Sequence, residues 1–293
     1  MGLRDRFFRR DAGNPEALDA RHDRAIARGQ SGDLAGAIAD LEMLLVDRRN
    51  TQGSDHPSTI STRNDIVFFR GKTGDADGAV AGLEAVLADW LRVVGPDDPA
   101  TLNTRHSLAA FRADAGDVDG AVADLAALVV DEQRVLGPDD PVTLGTRSDL
   151  AFFRARTGDI GRAVTEGEEV MAHRLRVLGP EHPGVANSRR TLAKILNLRQ
   201  HHAFLRGQGG DVEGAISDLE IVLADQERIL GKNDADTIGT RSYLSVLQGD
   251  AAGIEVVLAD GEKLLAERQQ QLGPDHPDTI QIRDILTELR QIF

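Results

Sequence analysis

An all-α solenoid of stacked helical hairpins is the fold class this chain predicts, and three observations predict it. Gly74-Asp75 returns as Gly116-Asp117 and Gly158-Asp159, each at a step of 42 residues. The same step joins Gly95-Pro96, Gly137-Pro138 and Gly179-Pro180, and it also joins Arg63, Arg105 and Arg147. Between these marks the apolar residues recur at helical spacing. A repeat of this length implies supersecondary units that are each too small to bury an apolar face alone, so that every interface between neighbours is a small core.

The elements follow in order. Residues 1–14 are a lead-in whose arginines and Phe7-Phe8 pair lack the apolar stretch of a secretory signal. Six units are expected at 15–56, 57–98, 99–140, 141–182, 183–234 and 235–276, and a capping helix at 277–293. The unit at 99–140 is the clearest. Asp98 caps a helix that opens with Pro99, where no amide donor is missed. Leu102, Leu108 and Phe111 mark its buried face. Gly116 supplies the left-handed residue that ends it, and Asp117 caps the next helix. Val118, Ala121, Val122, Leu125, Leu128, Val129 and Leu136 form a broad stripe on that second helix, and Gly137-Pro138 stops it. Ala37, Ala79, Ala121, Ala163 and Ala215 stand at one position, where a small side chain lets two helices approach. In the first unit Arg24 replaces Ile66, Leu108 and Leu150, as suits a solvent-facing end.

The composition narrows the function. Net charge is -14 and pI about 5.0, which argues against a nucleic-acid-binding surface. Only Lys72, Lys194, Lys232 and Lys263 are lysines, and there is no cysteine. Disulfides, thiolate nucleophiles and cysteine-ligated metals are thereby excluded, and a reducing, cytoplasmic setting is expected. No apolar run reaches membrane-spanning length, and the lead-in is too short for stable anchoring. No phosphate-binding loop, zinc-protease motif or nucleophile elbow is present. His56, His182 and His276 occupy the inter-unit loop position of Asp98 and Asp140. His201-His202 are adjacent on a helix and point apart. No metal site and no cofactor are expected.

Leu108-Ala109, Gly116, Ala121 and Leu125 have the spacing of the tetratricopeptide repeat. The linker Gly-Pro-Asp-His-Pro-Asp-Thr at 273–279, varied at 137–143, and Thr104-Arg105 resemble the longer kinesin-light-chain type common in actinobacterial proteins. The resemblance covers nearly the whole chain. It implies a right-handed superhelix of antiparallel helix pairs that binds proteins or peptides on its concave side, without chemistry. It also assigns groove-facing places to Ser61, Asn64, Phe68 and Lys72, to Asn103, His106, Ala110 and Asp114, and to Ser148, Phe152 and Arg156. Phe69 and Phe153 are expected in the core, while Phe68 and Phe152 either fill the seam between units or anchor a ligand.

An arginine ladder runs through the first helices: Arg63 and Arg70, Arg105 and Arg112, Arg147 and Arg154 are each seven apart and so share one stripe. The stems can cover apolar surface while the heads pair with nearby carboxylates such as Asp75, Asp117 and Asp159. The other reading is a basic groove for an acidic peptide, a C-terminal carboxylate or a phosphate-bearing ligand.

The period fails in two places. Gly179 to Gly231 spans 52 residues, with the excess in the first helix of the fifth unit. Arg189 continues the ladder in one register, and Arg199 and Arg206 in another. Ten residues leave a helix roughly 80° out of phase, so a kink, a protruding segment or a break is expected between Lys194 and His201. The sixth unit has Ala252-Gly253 where others have Gly-Asp, and its Gly249-Asp250 comes three residues early, so its first helix should end sooner. The function expected is a peptide- or protein-binding scaffold. The alternatives are a self-associating module and a small-molecule sensor or enzyme with a pocket at Arg189, Arg190, His201 or His202 beside the fifth unit.

Overall fold

The computed structural model describes residues 14–249 and 251–292. All but the last residue of the expected lead-in lies outside the described residues. Thirteen α-helices and no strand occur among them. In chain order they are α1 (Pro15–Gln30), α2 (Leu34–Gln52), α3 (Pro57–Lys72), α4 (Ala76–Val93), α5 (Pro99–Asp114), α6 (Val118–Val135) and α7 (Pro141–Arg156). There follow α8 (Ile160–Leu178), α9 (Pro183–Gln208), α10 (Val212–Ile229), α11 (Ala235–Gln248), α12 (Ala251–Leu272) and α13 (Pro277–Ile292). Odd-numbered helices are the first of each hairpin and even-numbered helices the second. The contacts divide the chain into two compact halves, one ending at Phe153 and one beginning at Arg154.

The helix ends follow from side-chain chemistry. Each first helix has a cap that accepts the amide two residues on. Asp98 accepts from Ala100 at 2.8 Å, Asp140 from Val142 at 2.8 Å and Asp234 from Asp236 at 3.0 Å. The histidines do the same with Nδ1: His56 accepts from Ser58, His182 from Gly184 and His276 from Asp278, at 3.0–3.2 Å. These loop histidines are therefore helix caps. Within the hairpins, Gly32, Gly74, Gly116, Gly158 and Gly210 have φ from +95° to +106°, the left-handed conformation that side chains disfavour. Asp33, Asp75, Asp117 and Asp211 then accept from the amides of Gly36, Gly78, Gly120 and Gly214 at 2.9–3.0 Å.

Each core joins one hairpin to the first helix of the next. In the first half, Leu18, Ala25, Ala37, Leu41 and Leu44 close on Ile66 and Phe69. Ala79 and Leu83 pack with Leu108 and Phe111. Leu102, Ala109, Leu125 and Leu128 pack with Leu150, and Phe153 lies against them. The small-residue position is buried throughout, from Ala37 to Ala215. In the second half Ala203, Leu219 and Leu244 form one core, and Ile238, Val257, Leu264, Ile282, Leu286 and Leu289 the last.

The fifth unit corrects the expectation of a break. α9 is one unbroken 26-residue α-helix through Lys194 and His201. Its two halves obey different registers. Near its start, Ser188 accepts from Arg174 of α8 at 2.9 Å, as Thr62 accepts from Arg48. Near its end, Arg206 reaches Asp218 of α10 at 2.9 Å, as Arg112 reaches Asp124. The inserted residues lengthen the helix by about 15 Å between these two docking zones. In the sixth unit α11 stops at Gln248, with Gly249 left-handed at φ +65°, as its early Gly-Asp suggests.

Candidate functional site

The first helices of neighbouring hairpins approach one another more closely than the second helices do, in each half of the chain. That closeness makes the face of the odd-numbered helices the inner, groove side.

The arginine ladder points away from it. Arg63 donates to Asp89 at 2.5 Å and Arg105 to Asp131 at 2.8 Å, both acceptors lying on the second helix of the same hairpin. Arg70 reaches Glu42 of the preceding second helix at 2.5 Å. Arg112 bridges Asp124 at 2.6 Å and Glu84 at 3.4 Å. Arg154 pairs with Glu166, and Arg147 is also engaged. The pairing expected with Asp75, Asp117 and Asp159 is not made. The first two cap their helices, and Asp159 makes no capping bond. Among the described residues, Arg28 with Asp33 and Arg206 with Asp211 are the pairs that use the turn aspartate. Asp89 and Asp131 are held below the usual carboxylate range by hydrogen bonds, Asp89 from Arg92 and then Arg63, Asp131 from Arg105.

The remaining predicted residues fall into three groups. Phe68, Lys72 and their neighbours cluster. Phe68 meets Phe69 and Phe111 edge-on at 5.8 and 5.7 Å, and the Lys72 ammonium stands 5.4 Å from the Phe68 and Phe111 centroids. Phe68 is half-buried and packs on two cores, whereas Lys72 is exposed. Asn64, His106 and Ser148 occupy one position, and the first two link successive first helices. Asn64 is buried and accepts from Thr104 at 3.1 Å. His106 Nε2 lies 2.9 Å from Asp149, as His22 lies 2.8 Å from Asp65. The Asp149 bond raises the His106 pKa above its ordinary value. Ser148 is buried. Asn103, Asp114 and Arg156 are exposed at their own places, and Phe152 is half-buried beside Phe153, 5.6 Å away.

A deeper seam runs under this surface. Arg48, Trp90, Glu132, Arg174 and Gln226 hold one position on the second helices, all buried. Fourteen positions on from these stand Thr62, Thr104, Thr146, Ser188 and Thr240. Arg48, 2% exposed, donates to the Thr62 hydroxyl at 2.7 Å, the Ser58 carbonyl at 2.8 Å and Asp19 at 2.6 Å. Glu132 is fully buried near the Thr146 hydroxyl, and neither carboxyl oxygen has hydrogen-bond geometry with a donor. Burial pushes its pKa up.

A cavity lies in the second half, between α9, α11 and α13, on the groove side. It measures about 450 Å³ and is lined by Gln200, Phe204, Gly239, Tyr243, Val246, Ile285 and Leu289, among others. Phe204 is 37% exposed and lies 5.3 Å from the Tyr243 ring. Asp236 closes one end, accepting from Asn197 of α9 at 3.1 Å and from Gln281 of α13 at 2.8 Å. Beyond that bridge is a second, open cavity of about 420 Å³, which Arg189 and Arg190 line together with Arg268. His201 and His202 are exposed and belong to neither.

Sequence reasoning passed over Phe204, Tyr243 and Arg268. The signal for Phe204 was present. The register that aligns Arg199 and Arg206 with Arg105 and Arg112 also places Phe204 at the position of Phe68 and Phe152.

The tetratricopeptide repeat family matches residues 143–184. The array has the fold of a tetratricopeptide-repeat solenoid. A crystallised variant of a Podosopora anserina protein of kinesin-light-chain type, with nearly identical TPR-like repeats, is 27% identical. The match covers 73% of this chain and 96% of that one with a TM-score of 0.54. BtubC (BKLC) from P. vanneervenii is 15% identical over 76% of this chain and 83% of its own, with a TM-score of 0.53. The apo form of RapI is 8% identical over 94% and 97%, also at 0.53. The last two likenesses concern the solenoid fold alone. No curated protein sequence matches the chain. Among the described residues, no helix is long and apolar enough to cross a membrane.

Proposed function

We propose that this solenoid is a non-catalytic scaffold that binds an extended peptide segment of a partner protein along the groove of its first helices. The observation that carries the reading is the slot between α9, α11 and α13, where a partly exposed aromatic pair, Phe204 and Tyr243, lies with Val246 and Ile285. Such a pocket accepts one apolar anchor side chain, and anchors of this kind dominate peptide affinity. Gln200, Asp236 and Gln281 around it offer amide and carboxylate groups for a peptide backbone. The Phe68, Lys72 and Phe111 cluster supplies a second aromatic place in the first half.

The commitments of the polar groups support a binding role over catalysis. Histidines cap helices or bridge first helices to aspartates, and most ladder arginines are held by carboxylates of the second helices. The acidic balance favours a protein partner over a nucleic acid, and the cysteine-free chain fits a cytoplasmic setting. Peptide display against the intact protein tests the proposal. Selected peptides should share an apolar residue and lose at least tenfold in affinity when Phe204→Ser is introduced. Peptides that bind the variant as well as the parent would contradict it.

A further inference from the structure

The second cavity of the carboxyl-terminal half gathers arginines that have lost the partners their positions have elsewhere. Arg189 is a ladder arginine. Arg21, Arg63, Arg105 and Arg199 each face a carboxylate 26 residues on, at Asp47, Asp89, Asp131 and Asp225. The ten-residue insertion moves α10 away from Arg189 and gives that pairing to Arg199. Arg268 is a seam arginine, equivalent to Arg48 and Arg174. Those two donate to a hydroxyl fourteen residues on, whereas the residue fourteen beyond Arg268 is Ile282, which cannot accept. Arg190 bonds only the Asn187 side chain, at 2.6 Å. Among the described residues none of the three has a carboxylate within ion-pair distance, and all three line the one cavity of about 420 Å³.

The carboxylates in the same cavity are already committed. Asp236 is bonded by Asn197 and Gln281, and Asp234 caps α11. Burial raises the Asp234 pKa and so disfavours its charge. Three guanidinium groups stand with Asp234, Asp236 and Asp278 around this cavity, equal in number, yet none of the three arginines has any of these carboxylates within ion-pair distance. The planar guanidinium fork matches a carboxylate in bidentate fashion.

We propose that this cavity is a binding site for a carboxylate group, held by Arg268 and Arg189 with Arg190 at its rim. The site owes its existence to the insertion in α9 and to Ile282, and it is separate from the aromatic slot on the other side of Asp236. Its ligand is either a free small monocarboxylate or an acidic side chain of a bound peptide.

Arginine side-chain NMR on the intact protein tests it, with benzoate, acetyl-Ala-Glu-Ala-amide, the matching glutamine peptide and inorganic phosphate as probes. Saturable shifts of the Arg189 and Arg268 Nε–Hε signals are expected with a carboxylate probe. Affinity read at Arg189 should fall at least tenfold in Arg268→Met, and affinity read at Arg268 should fall likewise in Arg189→Gln. Arg283→Gln, which removes an exposed and equally unpaired arginine outside the cavity, should leave it unchanged. Tighter binding of benzoate identifies a free small molecule as the source, and tighter binding of the glutamate peptide identifies a peptide. Four results would overturn the assignment: no saturable shift with either carboxylate, an equal response to the glutamine peptide, tighter binding of phosphate than of both carboxylates, or a loss in Arg283→Gln as large as in Arg268→Met. A peptide that still occupies the aromatic slot after any of these would leave the groove reading intact.

Discussion

Two glycines in first helices of the same half separate close packing from helix propensity. At Gly71 a Cβ would lie 2.4 Å from the Phe111 ring and 2.7 Å from the Cβ of Ala79. The ring could turn slightly, but the Ala79 Cβ is fixed to the backbone of α4, so the helices themselves must part. At Gly145, in α7, an added Cβ meets nothing within 4 Å. Helix propensity alone favours alanine over glycine by about 1 kcal/mol in a helix interior. Overpacking a closed contact costs about 1–3 kcal/mol, and an approach this short to a fixed Cβ takes the upper part of that range, about 2–3 kcal/mol. Gly71→Ala should therefore destabilise the amino-terminal half by about 1–2 kcal/mol, and Gly145→Ala should stabilise it by about 0.5–1 kcal/mol. Urea unfolding followed by circular dichroism reads both, and hydrogen exchange at α3 and α5 locates the first effect. If Gly71→Ala is neutral or stabilising, the close approach at the hairpin seam is not what limits this interface, and the packing argument fails.

Further outcomes follow from the seam and the bridges. Arg48→Ala removes a buried guanidinium and takes a donor from the Thr62 hydroxyl and from Asp19, so urea unfolding should show a loss of about 2–4 kcal/mol. Glu132→Gln should stabilise by about 1–3 kcal/mol at pH 8 and by much less near pH 4. A carboxyl whose folded pKa is raised favours the fold at acid pH and loses that contribution as pH rises through the folded value. An equal effect at both pH values would remove the buried-charge explanation. The raised His106 pKa has the same sign. Its bridge to Asp149 contributes fully below the unfolded histidine pKa and fades as pH climbs through the folded one, so His106→Gln should flatten the stability profile of the amino-terminal half around neutrality. Asp236→Ala cuts the ties from α11 to α9 and α13, and hydrogen exchange in α13 should quicken without loss of the remaining helices.

The repeat made much of this architecture legible. Proline after a cap, glycine-aspartate turns and a small residue at one fixed place are local signals, and each has a local physical cause. The partners of the arginine ladder were harder to read because they depend on how two hairpins dock. Asp89 and Glu42 lie 26 and 28 residues from Arg63 and Arg70, whereas Asp65 and Asp75 are each only five residues from Arg70. The insertion misled for a related reason. A phase argument assumes that one helix must serve both neighbours at the same level, whereas α9 serves them at different heights along its length. Arg268 could be picked out only by comparing its fourteenth successor, Ile282, with the hydroxyl residues at the equivalent places.

Peptide contact in the aromatic slot falls to the first helices of the carboxyl-terminal half, while the second helices, Arg268 of α12 apart, hold the array together. Methyl-labelled NMR with a display-selected peptide tests that division directly. Ile285 and Val246 line the slot, while Ile221 and Val256 are exposed on second helices. Saturation with peptide should shift the methyl signals of Ile285 and Val246 and leave Ile221 and Val256 in place. Shifts confined to Ile221 and Val256 would put the binding surface on the opposite side of the solenoid and contradict the account.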